Sequence, residues 1–119
     1  MTKITRLADL EIYQESLKLT AIIYTFTKHV LLAKEFSLID QMKRASLSIP
    51  ANISEGYGRN TKKDFAQFLS IALGSLNELV TYLDFIELHF NLPTTTFKEQ
   101  YITLSKRIYS FRTYLFNFK

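Results

Sequence analysis

This sequence predicts an all-α protein, an antiparallel up-down-up-down four-helix bundle in which residues 1–119 form a single domain. Three observations carry that expectation. Apolar residues recur at steps of three and four through most of the chain. A Ser or Thr followed three residues later by an acidic residue opens three of these stretches, as at a helix N-terminus. With three Gly and two Pro, the chain lacks the turn residues that an all-β protein needs roughly every ten residues.

The first helix is expected over about 9–32. Leu10, Tyr13, Leu17, Tyr24 and Leu31 fall near one face, and Ile12, Leu19, Ile23, Phe26 and Val30 form a second apolar row. The second helix, about 38–57, opens at Ser37 with Asp40 as an approximate capping box and turns Leu38, Met42, Ala45, Ile49 and Ile53 inward. Pro50 lies inside that row and reads as a helix break or as a tolerated kink. The row keeps its phase on both sides, which favours a kinked, continuous helix. Gly56 and Gly58 then supply a stop.

The third helix, about 62–91, has the plainest pattern. Thr61 and Asp64 repeat the cap arrangement. Phe65, Phe68, Leu69, Ala72, Leu76, Leu79, Val80, Leu83 and Ile86 then hold helical spacing up to a stop at Asn91-Leu92-Pro93. The fourth, about 97–117, opens at Thr96 with Glu99 and turns Tyr101, Leu104, Ile108, Phe111, Leu115 and Phe118 inward. Ile102, Tyr109, Tyr114 and Phe116 lie off that row. A four-helix monomer buries one stripe per helix, whereas helices one, three and four each carry a second, so a homo-oligomer or another apolar partner is expected.

Composition closes off several chemistries. There is no Cys, which excludes disulfides, thiolate zinc sites and cysteine nucleophiles, and His29 and His89 are too few for a histidine cage. Gly56-Tyr57-Gly58 is too short for a phosphate loop and lacks the Lys-Ser/Thr that would follow it. His89 follows Glu87 by two residues, whereas a di-iron bundle needs Glu-x-x-His on one face. Glu55, Glu78, Asp84 and Glu87 could supply an acid/base pair, but no spacing singles out two of them. No catalytic residue, metal or cofactor is therefore expected, and the chain reads as a non-enzyme. The start, MTKITRLADLEIYQ, lacks the apolar core of a signal peptide and no apolar run approaches about 18 residues, so a cytoplasmic protein without a membrane partner is expected.

The net charge of +4 is unevenly spread. Up to residue 97 cations and anions balance; beyond it Lys98, Lys106, Arg107, Arg112 and Lys119 face Glu99 alone. A second group is Arg59, Lys62 and Lys63, with Lys43 and Arg44 upstream. Basic faces of this kind suit phosphate. No aromatic platform flanked by basic residues is evident in the sequence.

Residues 41–59, QMKRASLSIPANISEGYGR, are unusual for a bundle helix. They resemble the signature of a bacterial four-helix bundle family encoded by intervening sequences within large-subunit ribosomal RNA genes, with Gln41, Arg44, Ala45, Ser48, Ile49, Pro50, Asn52, Ile53, Glu55, Gly56 and Arg59 in place. FLSIALGSLNEL, from Phe68 to Leu79, resembles its second block through Ala72, Gly74, Ser75, Glu78 and Leu79. The opening DLEIYQESLKL is similar to its first helix, with Tyr13 where a tryptophan is common. The resemblance implies a left-handed antiparallel bundle, a ring-like homopentamer and no established biochemical activity. It also relates the chain to the accessory protein of diversity-generating retroelements, which contacts a reverse transcriptase and nucleic acid through a basic surface.

The motif residues also read structurally. Ala45, Ser46, Ser48, Ala51, Ser54 and Gly56 let helix two approach a neighbour closely. Gly74 costs roughly 1 kcal/mol in mid-helix, which a close crossing against helix two would offset. Asn52 and Glu55 are expected to satisfy groups around Pro50, and Glu78 to pair with Arg44 or Arg59. Two functions compete. One is a homo-oligomer that binds structured RNA or an RNA–DNA hybrid through Lys43, Arg44, Arg59, Lys62 and Lys63, with Lys106, Arg107 and Arg112 as a second patch. The other is a protein-interaction scaffold for a larger nucleic-acid enzyme such as a reverse transcriptase.

Overall fold

The computed structural model describes residues 10–117. Among them α1 (Glu11–Phe26), α2 (Phe36–Tyr57), α3 (Lys62–Phe90) and α4 (Thr95–Asn117) are joined by short connections, and a 3-10 turn, Val30–Leu32, lies between α1 and α2. Contacts run in opposite directions along neighbouring helices. Gln41 meets Tyr82 and Ser48 meets Ser75 between α2 and α3. Asp84 meets Lys98 and Ser70 meets Arg112 between α3 and α4. Tyr24 meets Lys43 and Thr20 meets Ser46, while Phe26 meets Phe97 and Glu15 meets Arg107, so α1 runs antiparallel to both α2 and α4. The four helices make an all-α bundle of 49 × 21 × 19 Å.

The core rows follow the sequence closely. Met42, Ile49 and Ile53 on α2, Leu69, Leu76, Leu83 and Ile86 on α3, and Tyr101, Leu104 and Ile108 on α4 are fully buried. α3 is long and apolar enough to cross a membrane by length and composition, and seven of its residues are buried against the other helices. Of the two rows expected on the first helix, one supplies the buried Ile12, Leu19 and Ile23 but leaves Val30 exposed, and the other has Leu10 buried with Leu17 and Leu31 exposed. Ser16 and Thr20 lie on the same buried face. Phe118 and Asp9 lie outside the described residues.

Three expected boundaries are corrected. The first helix stops at Phe26 rather than near residue 32. Leu32 is nine residues beyond Ile23, about two and a half helical turns, so an unbroken helix would point it to the opposite face. The 3-10 turn, capped by the His29 ring accepting from the Leu31 N–H at 3.1 Å, swings Leu32 into the core instead. The Ser37–Asp40 capping box does not form: α2 begins at Phe36 behind Glu35, and Asp40 pairs with Arg44 one turn on, at 2.8 Å. Likewise α4 begins at Thr95, which puts the expected cap Thr96 inside the helix, with the Thr94 carbonyl accepting from the Lys98 N–H. The third cap forms as expected, with Thr61 accepting from the Asp64 N–H at 3.0 Å, and α3 ends on Asn91 in the left-handed region at φ 57°.

α2 runs unbroken through Pro50, which is buried. The proline ring has no N–H, so the Ser46 carbonyl loses its helical donor. Thr20 on α1 replaces it, donating to that carbonyl at 3.0 Å. Asn52 donates to the Ser48 carbonyl at 2.8 Å and to the Ser48 hydroxyl, which in turn shares a 2.7 Å bond with Ser75 on α3. Glu55 plays no part there and instead accepts from Arg59.

Candidate nucleic-acid interface

The eight basic residues divide differently from their order in the chain. Lys43 and Arg44 sit on mid-α2, roughly 22 Å along the helix from Arg59 in the α2–α3 turn, which leads into Lys62 and Lys63 at the start of α3. Lys43 lies over the Tyr24 ring of α1, at 4.9 Å from its centroid. These five residues therefore do not form one patch. Arg107 reaches back to Glu15 on α1 at 2.8 Å and shares with Lys106 a groove lined by Glu11, Ile12, Thr103 and Ser110.

A different grouping emerges across α3 and α4. Lys63, Ser70 and Asn77 recur every seven residues, so they share one face of α3. Arg112 of α4 donates to Ser70 Oγ at 3.0 Å, and its guanidinium lies 4.9 Å from the Tyr109 ring and 5.8 Å from that of Phe116. Lys106, one turn before Tyr109, lines a groove of about 460 Å³ with Leu73, Asn77, Ser105, Tyr109 and Ser110. Among the described residues neither Lys63 nor Lys106 makes an ion pair. Basic and aromatic side chains thus interleave along the α3–α4 face, an arrangement that was not evident in the sequence. Its sequence signal was Tyr109, Arg112 and Phe116 at i, i+3 and i+7, which reads as a single helix face.

Arg59 closes the same end of the bundle from the α2 side. It pairs with Glu55 at 2.7 Å and covers the Phe68 ring at 4.6 Å. Behind it Tyr57, Phe65 and Phe111 form a chain of edge-on rings. Arg44, Arg59 and Arg107 hold their carboxylates in solvent-exposed pairs. Such pairs are worth about 0–1 kcal/mol, so a phosphate can displace the carboxylate at little cost.

The remaining motif residues have structural positions. Gly56 is buried where a Cβ would stand 2.7 Å from Phe65 and 2.9 Å from Phe68, so the close approach is to α3. Gly74, in contrast, is exposed with nothing within 4 Å of a Cβ, so no crossing within the chain offsets its cost. Glu78 pairs with neither Arg44 nor Arg59, each of which is held by a carboxylate four residues away on its own helix. It accepts instead from Tyr82 at 2.6 Å, which pushes the Tyr82 phenol above its ordinary value, and Gln41 lies 3.4 Å from the same hydroxyl. Among the described residues no group of three or more His, Asp or Glu could hold a metal ion. His29 caps the 3-10 turn, and His89 stacks on Phe85.

Comparison with solved structures finds a Bacteroides thetaiotaomicron VPI-5482 protein of unknown function from the S23 ribosomal protein family. It is 25% identical, superposes with a TM-score of 0.63, and the match covers 87% of this chain and 94% of that one. No curated protein matches. Residues 8–113 match the model of the 23S rRNA-intervening sequence protein, and the chain belongs to that family.

Proposed function

We propose that this chain is a non-enzymatic homo-oligomer that binds nucleic acid, structured RNA or an RNA–DNA hybrid, through the α3–α4 face and the adjoining α2–α3 turn. The observation that carries the reading is the interleaving of Lys63, Arg112 and Lys106 with exposed Tyr109 and Phe116. Phosphate attracts the cations and releases their counterions, and the rings add sequence-tolerant contact area. Self-association is supported by the outer face of α2 and α3, where Leu47 and Ile71 are exposed beside the uncovered Gly74. Five copies is the assembly that the family resemblance implies, and repetition would multiply a weak patch by avidity.

The test is charge reversal at Lys62 and Lys63 together, read by binding of a folded RNA and of an RNA–DNA hybrid across a salt series. We expect binding to fall steeply with salt in the parent and to be largely lost in the variant. Light scattering should place both near five times the 13.9 kDa chain mass. Unchanged binding would remove this surface from consideration. A second reading, a scaffold for a larger nucleic-acid enzyme, is favoured by the opposite end of the bundle. There Val30, Phe36 and Leu88 are exposed at 78%, 76% and 86%, an apolar tip suited to a protein partner.

A further inference from the structure

We propose that the groove between α3 and α4 holds an unpaired nucleotide, its base stacked on Tyr109 and its phosphates held by Lys106 and Arg112. This rests on the nucleic-acid reading above and narrows it to unpaired segments, such as loops and ends of a folded RNA. Tyr109 is 56% exposed, so its side chain is open to a ligand in the groove that it lines. Arg112 already lies over it at 4.9 Å and is fixed by Ser70, so the ring and a cation are presented together. Lys106 lies three residues before Tyr109 and Arg112 three after, a span of roughly 9 Å along α4. That is the reach of one nucleotide with its two flanking phosphates.

The floor of the groove fits a base edge. Asn77 offers an amide donor and acceptor and makes no side-chain hydrogen bond among the described residues. Ser105 spends its hydrogen on the Ile102 carbonyl at 2.6 Å, leaving its oxygen as an acceptor toward the groove it lines. A volume of about 460 Å³ suits a ligand of nucleotide size. A duplex would bury its base faces in its own stack and could offer only phosphates here, which is why the site selects unpaired nucleotides.

The experiment uses the full chain with Tyr109→Ala, Tyr109→Phe and Lys106→Gln. Fluorescence anisotropy is read with a labelled single-stranded oligoribonucleotide and with a blunt RNA duplex of the same length. We expect Tyr109→Ala to weaken single-strand binding roughly tenfold, as loss of one base–aromatic stack does. Tyr109→Phe should bind single strands as the parent does, and Tyr109→Ala should weaken duplex binding much less than single-strand binding. Irradiation of the complex with a 5-iodouridine oligonucleotide should cross-link Tyr109, a readout that a merely structural ring would not give. If Tyr109→Ala binds single strands as the parent does, or if cross-links avoid Tyr109, the inference is overturned while the nucleic-acid reading stands. If the parent binds neither ligand, both fall.

Discussion

The Thr20 hydroxyl on α1 donates to the Ser46 carbonyl on α2 at 3.0 Å, the acceptor that Pro50 leaves without its helical partner. Thr20 shares its hydrogen with the Ser16 carbonyl at 2.8 Å, so one side chain supports two helices. Both residues are buried, and an unsatisfied carbonyl there cannot turn to water. We expect Thr20→Val to cost about 1–2 kcal/mol by urea denaturation. Pro50→Ala restores an N–H for Ser46, so the same Thr20→Val change should cost much less in that background. Additive losses would disprove the link.

The two glycines of the motif should respond in opposite directions. At Gly56 a methyl group meets Phe65 and Phe68 below 3 Å, and Gly56→Ala should destabilise by about 1–3 kcal/mol through overpacking. At Gly74 a methyl meets nothing within the chain, and Gly74→Ala should stabilise by about 1 kcal/mol through helix propensity. Urea midpoints at the lowest workable protein concentration read both. A Gly74→Ala chain that loses stability in step with its oligomer would place Gly74 at a subunit contact.

The α3–α4 connection depends on charge. Lys98 joins Asp84 at 3.0 Å and makes a short contact with Glu87, which also accepts from the Thr94 N–H. The Lys98 bond, then that of Thr94, holds the Glu87 carboxyl below its ordinary 4.5; Glu87, then Asp84, raises Lys98 above 10.5. A lowered carboxyl stabilises the fold above its unfolded value and loses that contribution as pH falls through the folded one. A raised ammonium stabilises below its unfolded value and loses the contribution as pH rises through its folded one. The pair therefore acts fully between about pH 5 and 10. Lys98→Met should cost roughly 1 kcal/mol at neutral pH, the upper end for pairs that solvent still reaches. The deficit should vanish near pH 2; a constant deficit at both pH values would mean that lost packing, not charge, is responsible.

Tyr101 is buried with a hydroxyl that has no hydrogen-bond partner among the described residues. Burial pushes its phenol well above the ordinary 10.0, and the Thr20 hydroxyl acts the other way. Because the folded value is raised, stability is whole below pH 10 and declines as pH rises beyond it, where the unfolded chain ionises first. Tyr101→Phe should be neutral or stabilising by up to about 1 kcal/mol. It should also flatten the alkaline decline in thermal melts followed by circular dichroism. A clear loss of stability at neutral pH would instead reveal a bond to Thr20.

Periodicity alone located four helices, because one face of each must leave water and the spacing of apolar residues records that face. Hence Met42, Ile49, Leu76 and Ile108 could be named as core without coordinates, and the motif around Pro50 pointed to the family. Boundaries were less legible. Whether α1 continues past Phe26 depends on where Leu32 must point, and whether Ser37 caps α2 depends on Asp40 finding Arg44. The candidate interface was the least legible part. Lys63 and Arg112 are 49 positions apart in the chain, and their neighbourhood exists because α3 and α4 pack antiparallel with Ser70 opposite Arg112. Charge and ring content are properties of residue order, whereas a surface is made by residues that packing brings side by side. Asp40 and Glu55 stand four residues before Arg44 and Arg59, a helical spacing that residue order already records, whereas only the packing of α1 on α4 brings Glu15 to Arg107.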